Sequence, residues 1–265
     1  VGADRLLLSA CRLLFIALLL SACTSPAPVV TTSEPTTLRL VATDACGPLM
    51  EELAVAYQAA HPWAVVEVEV FDDAVAEERL RTGAADLAAL VWPGREADLW
   101  LLPFASDAIA VIVHPAVPVE GLDRQTLREI FRGRIGEWAD GTPVQVVSRE
   151  AGSGVRALFE AEVMDGYDVT LTALVVADDA GVLAAVASTP GAIGYVPLSR
   201  LDGDVRVVAV DGVLPAAARR ADAPLAYVLF LVTPGEPQGE ARAFMQWVLG
   251  PEGQELVTRR LGSPL

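Results

Sequence analysis

The sequence has no lysine: all 19 of its basic residues are arginines. Thirty-five carboxylate side chains oppose them, for a formal net charge of −16. A field of that sign repels nucleic acid and anionic membrane surfaces, so no nucleic-acid partner is expected. Capture of a small anion by a local arginine cluster stays open. Cysteine is scarce too. Cys11, Cys23 and Cys46 are too few and too scattered for a disulfide framework or a zinc site. The two histidines, His61 and His114, each stand before a proline and at no metal-ligand spacing. No metal and no cofactor is expected. The run Leu13–Leu20 is too short to span a bilayer as a helix.

What is present is a large apolar fraction, 53% of 265 residues, enough for one large α/β domain or two ordinary lobes. The amino-terminal stretch LLLSAC occurs twice, at Leu6–Cys11 and Leu18–Cys23. Only the second copy has room for a charged and then an apolar region before it: Arg5 and Arg12, then Leu13–Leu20. Residues 1–22 therefore read as an export signal. Leu20-Ser21-Ala22-Cys23 resembles the lipobox of bacterial lipoproteins, which implies a lipid on Cys23. Residues 23–37 are rich in Thr, Ser and Pro without a period, the composition of an extended tether. The expected location is the extracytoplasmic face of a membrane, held there by the lipid anchor.

From Leu38 on, strand and helix patterns alternate. Short β-rich runs fall at Leu38–Ala42, Val65–Phe71, Asp86–Leu90, Ala108–Val113, Val144–Val147, Val175–Val176, Ala192–Tyr195, Val205–Val210 and Tyr227–Thr233. Met50, Leu53, Ala54 and Tyr57 recur at helical spacing behind Pro48. Further helices are expected around Ala74–Thr82, at Leu122–Phe131 with Asp123 as N-cap, at Ser153–Met164, near Phe244–Leu249 and at Pro251–Arg260. This alternation predicts an α/β fold with mostly parallel sheets.

The chemistry concentrates in Ser148–Phe159, SREAGSGVRALF. A strand ends, glycines turn the chain, and a helix begins near Ser153. The first turn of such a helix offers unpaired N–H groups, and bare glycines let a ligand approach them. Arg149 and Arg156 bracket the turn, and guanidinium groups pair with oxyanions through two parallel bonds. Taken alone, Gly152-Ser153-Gly154 also suits a plain turn with a serine cap. Ser153 as a nucleophile is disfavoured, because the G-x-S-x-G elbow is missing and neither histidine lies in a cleft segment. No enzymatic activity is expected.

Arg149–Arg156 (REAGSGVR) resembles the RE-x-GSGTR motif of PstS-like phosphate-binding proteins of bacterial ABC transporters. Ser106–Val113, Leu127–Trp138 (LREIFRGRIGEW), Pro190–Val196 (PGAIGYV) and Pro251–Gln254 are similar to the same family in the same order. The resemblance implies a two-lobed periplasmic-binding-protein fold of type II, with two crossover strands near Ala108–Val113 and Pro224–Val232. Lobe 1 would comprise residues 38–111 and 225–265, and lobe 2 residues 112–224. It implies phosphate or a related oxyanion as ligand, an ABC transporter permease as partner, and a monomer.

The implied ligand residues on lobe 2 are Arg149, Ser153 and the Gly154 N–H, with Arg156 beside them. Val155 stands where the family carries threonine, so one hydroxyl is lost while its backbone N–H remains. On lobe 1, Ala42–Ala45 align with a Gly-Ser-Ser-Thr loop, which brings Thr43 and Asp44 to the site. Asp72–Ala76 align with Gly-Ser-Gly-x-Gly, which brings Asp73. Asp86 matches an aspartate that accepts the proton of a protonated phosphate oxygen. These extra carboxylates depart from the pattern. A carboxylate 4 Å from one anionic charge costs about 1 kcal/mol in water and ~4 at an effective dielectric of 20. Either Asp44, Asp72 and Asp73 point away, as loop residues and N-caps do, or the ligand differs from free phosphate. A surface sensor or adhesion lipoprotein of the same fold is the alternative. Cys46 is expected to be a buried thiol without reactivity.

Overall fold

The computed structural model describes residues 35–93, 99–215 and 223–262. The export signal, Cys23 and the tether up to Glu34 lie outside them. The tether ends earlier than its composition suggests. Strand β1 (Thr36–Thr43) already includes Thr36 and Thr37, which pair with Ala64 and Val65. Threonine is β-branched and suits a strand once a neighbour offers a ladder.

β1 leads to α1 (Gly47–Ala60), β2 (Ala64–Phe71), α2 (Asp73–Arg81) and β3 (Leu87–Leu90). Next comes the 15-residue strand β4 (Leu99–Val113). The small strand β5 (Gly121–Leu122) precedes α3 (Arg124–Phe131), β6 (Gln145–Arg149) and α4 (Gly154–Phe159). α4 continues as a π-helical segment, Glu160–Met164, where the sequence predicts one unbroken α-helix. β7 (Leu174–Val176), α5 (Asp179–Ser188), β8 (Ala192–Pro197) and a 3₁₀ turn (Leu198–Arg200) follow. The chain closes with β9 (Arg206–Val207), β10 (Ala209–Val210), β11 (Ala226–Pro234), α6 (Gly239–Leu249) and α7 (Pro251–Arg260).

Among the described residues the main sheet runs β2-β1-β3-β11-β4-β8-β6-β7, with β9 beside β4. It holds two parallel sets. β1 pairs in parallel with β2 and β3, and β6 with β7 and β8. The antiparallel pair β4 and β11 joins them. β4 is shared: Leu99–Ala108 lie against β11, and Ile109–Val113 against β8. Every residue from Ala108 to Val113 is buried, as expected of a strand covered on both faces.

This topology positions the site. The carboxyl ends of the parallel strands are Thr43, Phe71 and Leu90 in one set and Arg149, Val176 and Pro197 in the other. Loops beyond such ends are where open α/β sheets hold ligands. Here the six loops touch one another.

Candidate functional site

Arg149 ends β6 and is only 1% exposed. A buried guanidinium must be paired, and three carboxylates and a carbonyl do this. Nη1 donates to Asp179, and lies 3.5 Å from Asp44 Oδ2. Nη2 donates to Asp72 Oδ1 at 3.2 Å and to Ala177 O at 2.9 Å. The backbone N–H of Asp179 donates to Asp44 Oδ2 at 2.7 Å. Arg200, from the turn after β8, stands 3.7 Å from Asp44 Oδ1 and 4.0 Å from Asp179 Oδ2.

A second cluster lies next to this cage. Ser153 caps α4, its Oγ accepting the Arg156 N–H at 3.3 Å. The Gly154 N–H then points at Asp73, donating to Oδ2 at 3.0 Å. Asp73 Oδ1 accepts from Val91 N at 2.8 Å and Trp92 N at 2.9 Å. Three backbone donors from two loops thus converge on one carboxylate. Ala74 N donates to Gly152 O at 3.2 Å alongside. A side chain at Gly154 is impossible here, since its Cβ would lie 2.3 Å from Asp73 Cγ.

Burial shapes the electrostatics. Asp179 is fully buried, and burial with the nearby Asp44 charge pushes its carboxyl up to about 7 despite Arg149. Burial, then contact with the Glu150 carboxyl, pushes Asp72 up to about 7 as well. Burial also raises Asp73, against the lowering effect of its three N–H donors. A depression of about 350 Å³ is edged by Asp44, Asp72, Glu150 and Asp178, with Val70 and Phe71 as an apolar wall. Among the described residues no group of three or more His, Cys, Asp and Glu is placed to hold a metal ion.

The fold brings Arg149, Ser153, Gly154, Asp44 and Asp73 into one region. Three expectations need correction. Asp86 is at the opposite end of the sheet, paired with exposed Arg39 at 2.6 Å and accepting the Arg39 N–H at 2.9 Å. Arg39 precedes Thr43 by four residues in β1, so about 13 Å of strand separates Asp86 from the site. Arg156 faces away: its guanidinium bonds Glu160 Oε1 at 2.8 Å and Arg149 O at 2.9 Å, bracing the turn. Thr43 is buried with its hydroxyl against Cys46 Sγ at 3.5 Å. The Val155 side chain packs in the core, which fits a position where only the backbone N–H was expected to serve. Asp179, Arg200 and the Val91 and Trp92 amides went unforeseen. The pair Asp178-Asp179 ahead of an apolar run is a helix-start signal, and Asp178 does cap α5 by accepting from Gly181 N at 2.6 Å.

Residues 29–252 match the model of the PBP superfamily domain. The phosphate-binding protein PstS of Bacillus subtilis is 30% identical over 163 residues, 58% of this chain and 53% of that protein. The chain thus spans about half the length of that relative in the match. PstS of Pseudomonas aeruginosa is 24% identical over 84% of this chain and 81% of its own length. A crystal structure from Clostridium perfringens, described as a phosphate ABC transporter substrate-binding protein with bound phosphate, superposes with a TM-score of 0.80. It is 25% identical and is matched over 87% of this chain and 100% of its own. The fold is the two-lobed α/β architecture of periplasmic binding proteins. The chain belongs to the PBP superfamily, and its relatives there are PstS-like phosphate-binding proteins.

Proposed function

We propose that the chain is an extracytoplasmic substrate-binding protein that captures an oxyanion, inorganic phosphate first, for an ABC importer. The observation that carries this is the cradle at Gly154. Its N–H and those of Val91 and Trp92 surround one anionic group at 2.8–3.0 Å, donated from two different loops. Preorganised backbone donors at a helix start are a general oxyanion site. The names of the relatives and the phosphate in the Clostridium perfringens protein support the ligand.

In this reading, residues 38–111 and 225–265 form lobe 1 and residues 112–224 lobe 2, with the boundary inside β4. Arg149, Ser153 and Gly154 act from lobe 2, and from lobe 1 Asp44 and the Val91 and Trp92 amides, which Asp73 occupies in the absence of ligand. The partner is a permease, the working unit a monomer, and Cys23 carries the lipid that keeps the protein at the membrane. No catalysis is assigned. The Ser153 hydroxyl serves as a helix cap, while His61 stacks on Tyr57 at 4.1 Å and His114 Nδ1 accepts from Ala116 N at 3.1 Å.

The test is thermal stability against phosphate at constant ionic strength, with sulfate as control. Ligand at ten times Kd adds about 1.4 kcal/mol of stability. A saturable rise with phosphate is expected, and none up to roughly 50 mM, where even a millimolar site is filled, sinks the phosphate reading. One observation favours a second reading, a sensor or adhesion lipoprotein with an altered ligand: Arg149 is already neutralised by three carboxylates. Unchanged phosphate uptake in a strain lacking the gene would favour it.

A further inference from the structure

We propose that Asp73 is a built-in anion: its carboxylate fills the oxyanion cradle and latches the two lobes together without ligand, so that an incoming oxyanion binds by displacing it. This rests on the site described above.

Asp73 opens α2, directly after β2, yet it is only 6% exposed. Both its oxygens are used. Oδ1 takes the Val91 and Trp92 N–H groups beyond β3, on its own lobe. Oδ2 takes the Gly154 N–H, 81 residues away on the other lobe. One carboxylate therefore does what a bound oxyanion does in a two-lobed cleft: it accepts from both sides at once. A charged acceptor makes each of these bonds stronger than a neutral one would.

The space is taken as well as the hydrogen bonds. A Cβ built at Gly154 would stand 2.3 Å from Asp73 Oδ1 and 2.5 Å from Oδ2, so the carboxylate lies directly on the first turn of α4. A Cβ at Gly152 would meet Asp72 Cβ at 3.4 Å and Ala74 Cβ at 3.5 Å. The start of α2 thus packs on the glycine turn at van der Waals distance. No tetrahedral oxyanion enters between them until Asp73 withdraws. Binding then exchanges one anion for another on the same donors, which lowers apparent affinity and leaves the closed shape nearly unchanged.

The experiment compares the full chain with Asp73→Ser and Asp73→Asn. Serine is too short to bridge the lobes, and asparagine keeps the shape while removing the charge. Phosphate affinity is measured by calorimetry, and the radius of gyration by small-angle scattering with and without phosphate. The latch predicts that Asp73→Ser expands when unliganded and recloses on phosphate. It predicts affinities about 10- to 100-fold tighter than the unsubstituted protein's, the value of one charge-assisted hydrogen bond returned to the ligand. Wild-type affinity together with an unchanged radius in both variants overturns it. If no protein binds phosphate but the unliganded variants expand, the latch stands and the phosphate reading falls. If neither variant folds, amide exchange in the unsubstituted protein decides. Gly154 must be protected without ligand, and exchange at the rate of an open loop overturns the latch.

Discussion

Replacing Arg149 with methionine removes the cation at the centre of the carboxylate cage while keeping much of its length. Arg149 pairs Asp179, Asp72 and Asp44, and Asp179 is fully buried. Removing one partner of a buried ion pair costs about 3–5 kcal/mol, because the other charge is left uncompensated. For a domain of this size that lowers Tm by about 6–20 °C. The loss has a pH signature. Asp179 already takes its proton near 7. Without Arg149 its carboxyl holds the proton to higher pH, so at about pH 5.5 it is mostly neutral in both proteins and needs no cation, whereas at about pH 8 only the unsubstituted protein gains from ionising it. Urea unfolding at both pH values reads the difference as a shift in midpoint at unchanged slope. A loss below about 1 kcal/mol, or one equal at both pH values, would refute the charge accounting.

The unsubstituted protein carries a related signature. Asp179 and Asp72 are raised to about 7, so their contribution to stability is full below the ordinary carboxylate value near 3.8 and lost as pH rises through about 7. Thermal unfolding should show stability falling across that window by up to about 1.4 kcal/mol per pH unit per carboxyl; a rise across it contradicts the assignment. Asp86→Asn should cost less than about 1 kcal/mol, as exposed pairs do, and leave phosphate affinity unchanged. A tenfold loss of affinity would return Asp86 to the site. Burial pushes the Cys46 thiol up to about 12, so a thiol reagent should label it only at the rate of unfolding. Rapid labelling of the folded protein would contradict its burial.

Most strands were legible because their apolar runs are bounded by turn residues, but β4 begins at Leu99, well before the expected Ala108, and the Val205–Val210 run divides into β9 and β10; α7 follows the Pro251 start signal to the residue. α3 is announced by Asp123, whose side chain accepts from Thr126 N at 2.7 Å. α5 has the same kind of cap in Asp178, but no helical stripe follows it: its buried hydrophobic side chains, Val182 and Val186, sit in a run of alanines without contrast. The site was legible on the Arg149–Gly154 side, where residue type and spacing carry the chemistry. On the other side the sequence showed three aspartates and no means of telling which way they point. The direction of Asp73 depends on the packing of α2 against the glycine turn, a contact between residues 81 apart in sequence, and that of Asp44 on Arg149 and the Asp179 N–H, 105 and 135 residues away. Asp86 misled for a related reason. It sits at the start of β3, and only the parallel register with Arg39 and Leu40 reveals that this is the far end of the sheet.

In the proposed function the Gly154 amide is the point where the lobes and the oxyanion meet. Its ¹⁵N–¹H resonance, followed during a phosphate titration of the unsubstituted protein, tests this most directly. A saturable shift is expected at Gly154, matched at Val91 and Trp92 and absent near Asp86. Saturable binding that leaves all three amides unmoved would contradict it.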